Sequence, residues 1–175
     1  MASIKDQRGY NQMFKPSPAM FIRTQRRAKM IFQEFDLKND LDVLEIGCGT
    51  GELAAHLSKL TSSNILSTDL DEEFVKIASE KHTGIHNLFF ATLDFNNPEK
   101  LKGKKFDYIV GNGILHHLYF NLDFALSKLK ELLNPGGKII FIEPNIYNPY
   151  CFFIFKIPYF RRLASLEPSE MAFSK

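Results

Sequence analysis

Apolar positions along the chain switch between two spacings. From Ala19 to Phe35, Met20, Phe21, Ala28, Ile31, Phe32 and Phe35 recur at helical spacing, with Pro16 and Pro18 marking the start. Leu41 to Ile46 is a short apolar run that predicts a buried strand, and Gly51 to Leu60 predicts a helix. Asn64 to Thr68 predicts a second strand, ended by Asp69. Asp71 to Lys81 predicts a helix whose acidic first turn suits the positive end of the helix dipole. His86–Ala91 and Phe106–Gly111 predict the third and fourth strands. Asn121 to Leu133 places Leu122, Ala125, Leu126, Leu129 and Leu132 on one helical face. Asn134-Pro135-Gly136-Gly137 predicts a turn before a fifth strand, Lys138 to Ile142.

Strands alternating with helices at short intervals predict an α/β, mostly parallel sheet with helices on both faces. Ligands of such sheets bind beyond the carboxyl ends of the strands, so the chemistry should follow the strands. The 175 residues suit one domain, and 45% apolar with 24% charged residues is ordinary for a soluble protein. A net charge of +2 argues against a nucleic-acid partner, and Arg23, Arg26, Arg27 and Lys29 read as a solvated helix face. Cys48 and Cys151 lie far apart and form no CxxC pair or ligand cluster, so no metal is expected and a reduced, cytoplasmic setting is. Met1 to Phe14 lacks a signal-peptide core. The most apolar stretch, Tyr150 to Phe160, is interrupted by Lys156 and Pro158 and is shorter than the roughly 20 residues needed to span a bilayer. It provides no stable membrane anchor and suits at most weak surface contact. No pattern specifies an oligomeric state.

The richest segment is the first strand-to-helix turn, Gly47-Cys48-Gly49-Thr50-Gly51. Glycines permit a tight turn and a close approach of ligand to backbone. The spacing departs from the dinucleotide pattern GxGxxG, because Glu52 stands where its third glycine belongs. A phosphate-binding P-loop would need a lysine that is absent. Glu45, just before the loop, would repel a phosphate but suit a ligand bearing an ammonium or sulfonium cation. Asp69 is placed to accept hydrogen bonds from ribose hydroxyls, with Asp71 better placed to cap the next helix. Asp94 could accept from an adenine amino group, and Phe95 could offer its backbone N–H to a ring nitrogen. Asn112 and Gly113 follow the fourth strand beside the glycine loop, where their carbonyls could meet an ammonium group.

These segments resemble the class I S-adenosylmethionine-dependent methyltransferase family. VLEIGCGTG is similar to its first motif, and STDLD, TLDF, FDYIVGNGILHHL and LLNPGGKIIFIEPN follow in the family's order over about residues 41–145. The resemblance implies a doubly wound, Rossmann-like sheet of five core strands in the order 3-2-1-4-5. It implies S-adenosyl-L-methionine as cofactor, with Gly47, Cys48, Gly49 and Gly51 shaping its loop. Asp69 and Leu70 would then lie at the ribose, Asp94 and Phe95 at the adenine, and Asn112 and Gly113 at the methionyl end. By analogy with the quinone, sterol and polyketide branch, the acceptor would be a small, apolar or aromatic molecule. Two other readings stay open: a non-catalytic binding protein on the same fold, and a nicotinamide-dependent oxidoreductase, which the glycine spacing and Glu45 oppose.

Transfer of a methyl group to a hydroxyl or phenol would benefit from a general base. His117 and, second to it, His116 are the candidates because they follow the fourth strand. The bland alternative is a packing role under the loop. His56, His82 and His86 read as structural. Asn148-Pro149-Tyr150 is similar to the Asn-Pro-Pro-Tyr type of motif of amino-group methyltransferases, but it follows the fifth strand instead of the fourth. The resemblance divides the chain into a helical segment over 1–36 that caps the cofactor, a core over 37–146, and a lid-like aromatic insertion over 147–175. Because the family's last two strands form a hairpin that is not seen before Lys175, the chain is expected to be truncated, with the fifth strand an unpaired edge.

Overall fold

The computed structural model describes residues 17–36, 41–94, 101–164, 166 and 170–174. The expectation for Phe95, and that for residues 1–16 of the cofactor-capping segment, lie outside the described residues. A first helix, α1 (Pro18–Gln33), begins with Ser17 as its cap, whose hydroxyl accepts from the Met20 N–H at 3.2 Å. The core then runs β1 (Asp42–Ile46), α2 (Glu52–Leu57), β2 (Asn64–Asp69), α3 (Glu72–Lys81), β3 (Leu88–Thr92) and β4 (Phe106–Asn112). A 3-10 helix, Leu115–Asn121, leads into α4 (Leu122–Glu131) and β5 (Leu133–Ile142). Two short helices follow, α5 (Pro149–Lys156) and α6 (Pro158–Leu163).

All neighbouring strands are parallel, in the order β3-β2-β1-β4-β5. Strand order reverses between β1 and β4, which opens a crevice beyond their carboxyl ends. Side chains alternate across the sheet. Val43, Ile65, Tyr108 and Val110 pack with Ala28, Ile31 and Phe35 near α1 and with Leu53, Ala54 and Leu57 of α2. Leu44, Ile46 and Ile109 pack on the opposite face with Leu129 of α4 and Leu132. Phe35 stacks on Tyr108 at 4.3 Å, and the Asp36 N–H donates to the Tyr108 hydroxyl at 2.6 Å. These contacts hold the N-terminal helix against the sheet.

Two sequence expectations need correction. The Asn134–Gly137 stretch is not a turn ahead of the strand but lies inside β5, where the register jumps from Phe106↔Leu133 to Tyr108↔Lys138. The extra residues bulge outward, with Gly136 at φ +83°. Phe21 of α1 faces solvent, so the apolar stripe is narrower than its sequence spacing suggested. β5 forms the edge of the sheet, as expected, and just past its end Asn145 forms a parallel bridge with Phe173. Of the aromatic stretch after β5, Phe155 is buried, whereas Tyr150, Phe152, Phe153, Tyr159 and Phe160 are exposed. Asn148-Pro149-Tyr150 is a helix cap: the Asn148 side chain accepts from the Tyr150 N–H at 2.9 Å. No helix among the described residues is long and apolar enough to cross a membrane.

Candidate functional site

The glycine loop occupies the crevice between β1 and β4. Gly47, Gly49 and Gly51 have φ of +72°, +51° and +78°, a region that costs other residues about 1–2 kcal/mol. Their surroundings differ. A Cβ on Gly47 would lie 2.8 Å from the Ile114 side chain, and one on Gly51 would lie 2.8 Å from Phe90 and 3.0 Å from His82. A Cβ on Gly49 would meet nothing within 4 Å. Two glycines therefore let the loop pack, and the middle one leaves an open face. The loop is fixed by the Cys48 N–H donating to the Thr68 carbonyl at 2.9 Å and by His82 Nε2 donating to the Thr50 carbonyl at 3.0 Å. Lys81 pairs with Glu52, tying the end of α3 to the start of α2. His82 thus steadies the loop, a task its position after a helix did not announce.

Glu45 is buried beneath this loop. It stands opposite Ser67 in the register of β1 and β2, and the Ser67 hydroxyl donates to its carboxylate. Burial pushes the Glu45 carboxyl up to about 7, against the lowering effect of that hydrogen bond. Burial also pushes the neighbouring Cys48 thiol far up, so it is no nucleophile at neutral pH.

Asp69 ends β2 with its carboxylate turned onto the loop. Oδ2 accepts from the Gly49 N–H at 2.7 Å and Oδ1 from the Asp71 N–H at 3.0 Å. Each oxygen keeps further acceptor capacity for a ribose hydroxyl. Burial raises the Asp69 carboxyl above its ordinary range, with the backbone N–H groups of Asp71, Gly49 and Leu70 opposing. Asp71 caps α3, accepting from the Glu73 N–H at 2.8 Å. Leu70, beside Asp69, is exposed, and Asp94 is exposed just past β3.

The end of β4 supplies the remaining wall. Gly113 takes φ +71° and donates its N–H to the Ile142 carbonyl at 2.9 Å. The Asn112 side chain accepts from Arg27 Nη1 at 2.8 Å. One arginine of the basic α1 face therefore turns inward, whereas Arg23, Arg26 and Lys29 are exposed. Glu143, just beyond β5, holds the next turn. Its carboxylate accepts from the N–H groups of Ile114 at 2.9 Å, Leu115 at 2.8 Å and His116 at 3.3 Å, and from His116 Nδ1 at 2.9 Å. His116 is buried and the His117 side chain is 14% exposed, with the ring centroids 4.1 Å apart. Glu143 was not singled out in the sequence, although it ends a strand just as Asp69 does.

Against this geometry, residues 44–139, more than half of the chain, match the family described as a methyltransferase domain. The chain belongs to the class I S-adenosylmethionine-dependent methyltransferase family. It is 34% identical over 114 residues to a highly reducing polyketide synthase of Purpureocillium lilacinum, covering 59% of this chain and 4% of the synthase. It is 35% identical over 114 residues to the ribosomal protein L11 methyltransferase of Lactobacillus johnsonii, covering 64% of this chain and 34% of that protein. The chain thus spans well under two thirds of these relatives' lengths. Among solved structures, the CurJ carbon methyltransferase shares the fold, with a TM-score of 0.63 and 23% identity over 82% of this chain and 40% of that one. The ribosomal protein L11 methylase of Lactobacillus delbrueckii subsp. bulgaricus gives a TM-score of 0.52 and 28% identity over 67% of this chain and 58% of that one.

S-adenosylmethionine is the family's cofactor, and the residues present fit it. The open face at Gly49 admits a ligand to the backbone, and the carboxylates that follow β2 and β3 (Asp69 and Asp94) suit hydroxyl and amino donors better than a pyrophosphate. The nicotinamide alternative is set aside by the family match.

Proposed function

We propose that this methyltransferase chain moves a methyl group from S-adenosylmethionine to a small, apolar or aromatic acceptor. Gly47, Cys48, Gly49 and Gly51 would cradle the cofactor, and Asp69 with Leu70 would hold its ribose. Asp94 and Phe95 would meet the adenine, and Glu45, Asn112 and Gly113 the methionyl end. The bound cofactor supplies an electrophilic methyl group on a cationic sulfur. The protein's task is to place the acceptor's nucleophile about 3 Å from that carbon, in line with the breaking bond, and to exclude water.

The observation that supports an apolar acceptor is the aromatic surface after β5. Tyr150, Phe152, Phe153, Tyr159 and Phe160 are exposed on two short helices that follow directly from the Glu143 turn. His116 and His117, in the 3-10 helix after Gly113, mark where the acceptor's nucleophile is activated. Their turn is tied to the cofactor loop through Ile114, which lies against Gly47.

The test is transfer of a labelled methyl group to a panel of quinols, phenols and acyl thioesters, with ribosomal protein L11 in parallel. Labelling of a small acceptor is expected. Labelling of L11 alone would overturn the choice of acceptor while leaving the cofactor site intact.

A further inference from the structure

His116, His117 and Glu170 each offer one ligand atom, and these atoms all lie within 4.8 Å of one another. We propose that the three side chains form a site for a divalent first-row transition ion, one of the zinc or cobalt type. His116 Nδ1 is occupied by Glu143 Oε2 at 2.9 Å, which turns its Nε2 toward Glu170 Oε2 at 3.7 Å. His117 Nδ1 faces Glu170 Oε1 at 3.7 Å. These two separations are wider than a hydrogen bond, which runs to about 3.2 Å. They approach the spacing of ligands on one ion, since bonds of about 2.0–2.2 Å in a tetrahedron put neighbouring ligand atoms about 3.4 Å apart.

The surroundings are built for such an ion. The carboxylate of Glu143 behind His116 is the usual outer partner of a metal-bound imidazole, fixing both ring and tautomer. A dication offsets the cost of holding Glu143 and Glu170 together away from water. Glu170 is 1% exposed, and its segment is docked independently of its carboxylate. Arg161 donates to the Glu170 carbonyl at 3.1 Å, and the Met171 N–H donates to the His116 carbonyl at 3.4 Å. Two imidazole nitrogens and one carboxylate select zinc, cobalt, manganese or iron over calcium or magnesium, which prefer oxygen. Three protein ligands leave a position for water or for an oxygen of the acceptor. The expectation of no metal rested on Cys48 and Cys151 forming no ligand cluster, and the fold brings Glu170 to the two histidines from far along the chain.

Activation of an acceptor oxygen by this ion rests on the methyl-transfer reading above, whereas ion binding itself does not. The full chain, stripped with a chelator, is titrated with Co2+ and followed by visible absorption, and Zn2+ content is measured after dialysis. One equivalent of either ion is expected, with the absorption bands of a nitrogen- and oxygen-bound cobalt ion. Glu170→Gln and His117→Gln are each expected to weaken binding at least tenfold, and circular dichroism confirms which variant is folded. S-adenosylmethionine binding by the stripped wild-type chain is measured alongside, so a failed cofactor site is distinguished from a failed ion site. Sub-stoichiometric ion, or equal affinity in the wild type and a folded variant, would overturn the proposal.

Discussion

The Gly49 N–H donates to Asp69 Oδ2 at 2.7 Å, so the loop that ends β1 and the carboxylate that ends β2 form one unit. The same carboxylate holds the Asp71 N–H at 3.0 Å, which fixes its orientation before any ligand arrives. In asparagine one of these two oxygens becomes an amide nitrogen, which cannot accept, so one of the two bonds is lost. Asp69→Asn is therefore expected to weaken S-adenosylmethionine binding at least tenfold, about 1.4 kcal/mol, by calorimetry. Unchanged affinity would remove Asp69 from the cofactor site.

The three loop glycines should respond differently to alanine. Gly51→Ala places a methyl group against Phe90 and His82 and is expected to lower the unfolding temperature markedly. Gly49→Ala meets open space and should lose only the backbone term, about 1–2 kcal/mol of stability, while impairing cofactor binding more than folding. Thermal unfolding with and without cofactor separates the two effects. Equal destabilisation by both substitutions would contradict the open face at Gly49.

Glu45 gives a pH dependence with a definite sign. Its folded carboxyl titrates at about 7, above its ordinary value of 4.5, so between these the folded chain holds more protons than the unfolded one. Its contribution to stability is full below pH 4.5, falls as pH rises, and is lost through pH 7. Glu45→Gln keeps the shape without the charge. It is expected to flatten this slope and to gain on the order of 1–3 kcal/mol at pH 8 relative to the parent. Urea unfolding at pH 5.5 and pH 8 checks both statements, and parallel slopes in parent and variant would refute them.

Arg27 connects α1 to the end of β4 through Asn112. Arg27→Ala is expected to weaken cofactor binding roughly fivefold, the worth of a hydrogen bond of about 1 kcal/mol. The readout is the dissociation constant beside the unfolding temperature. A fall in unfolding temperature with no change in affinity would make the link purely structural.

What the sequence disclosed and what it hid follow from the range of the interactions. The β1 run, the glycine spacing and the acid that ends β2 are local signals, and they located the crevice. Tertiary pairings were not legible. Arg27 looks like its exposed neighbours Arg23 and Arg26 until β4 meets it. Glu143 became visible only once β5 lay beside β4 and brought its carboxylate to the Ile114 and Leu115 N–H groups. The Asn-Pro-Gly-Gly stretch has the composition of a turn, yet the sheet absorbs it as a bulge. The 3-10 helix Leu115–Asn121 is too short for a periodicity to emerge.

The most direct test of the cofactor assignment is calorimetry of the folded chain with S-adenosylmethionine and, separately, NAD. Binding of one equivalent of S-adenosylmethionine is expected, weakened by Asp69→Asn, with no heat from NAD. Tighter binding of NAD, or no binding of S-adenosylmethionine by the folded chain, would contradict it.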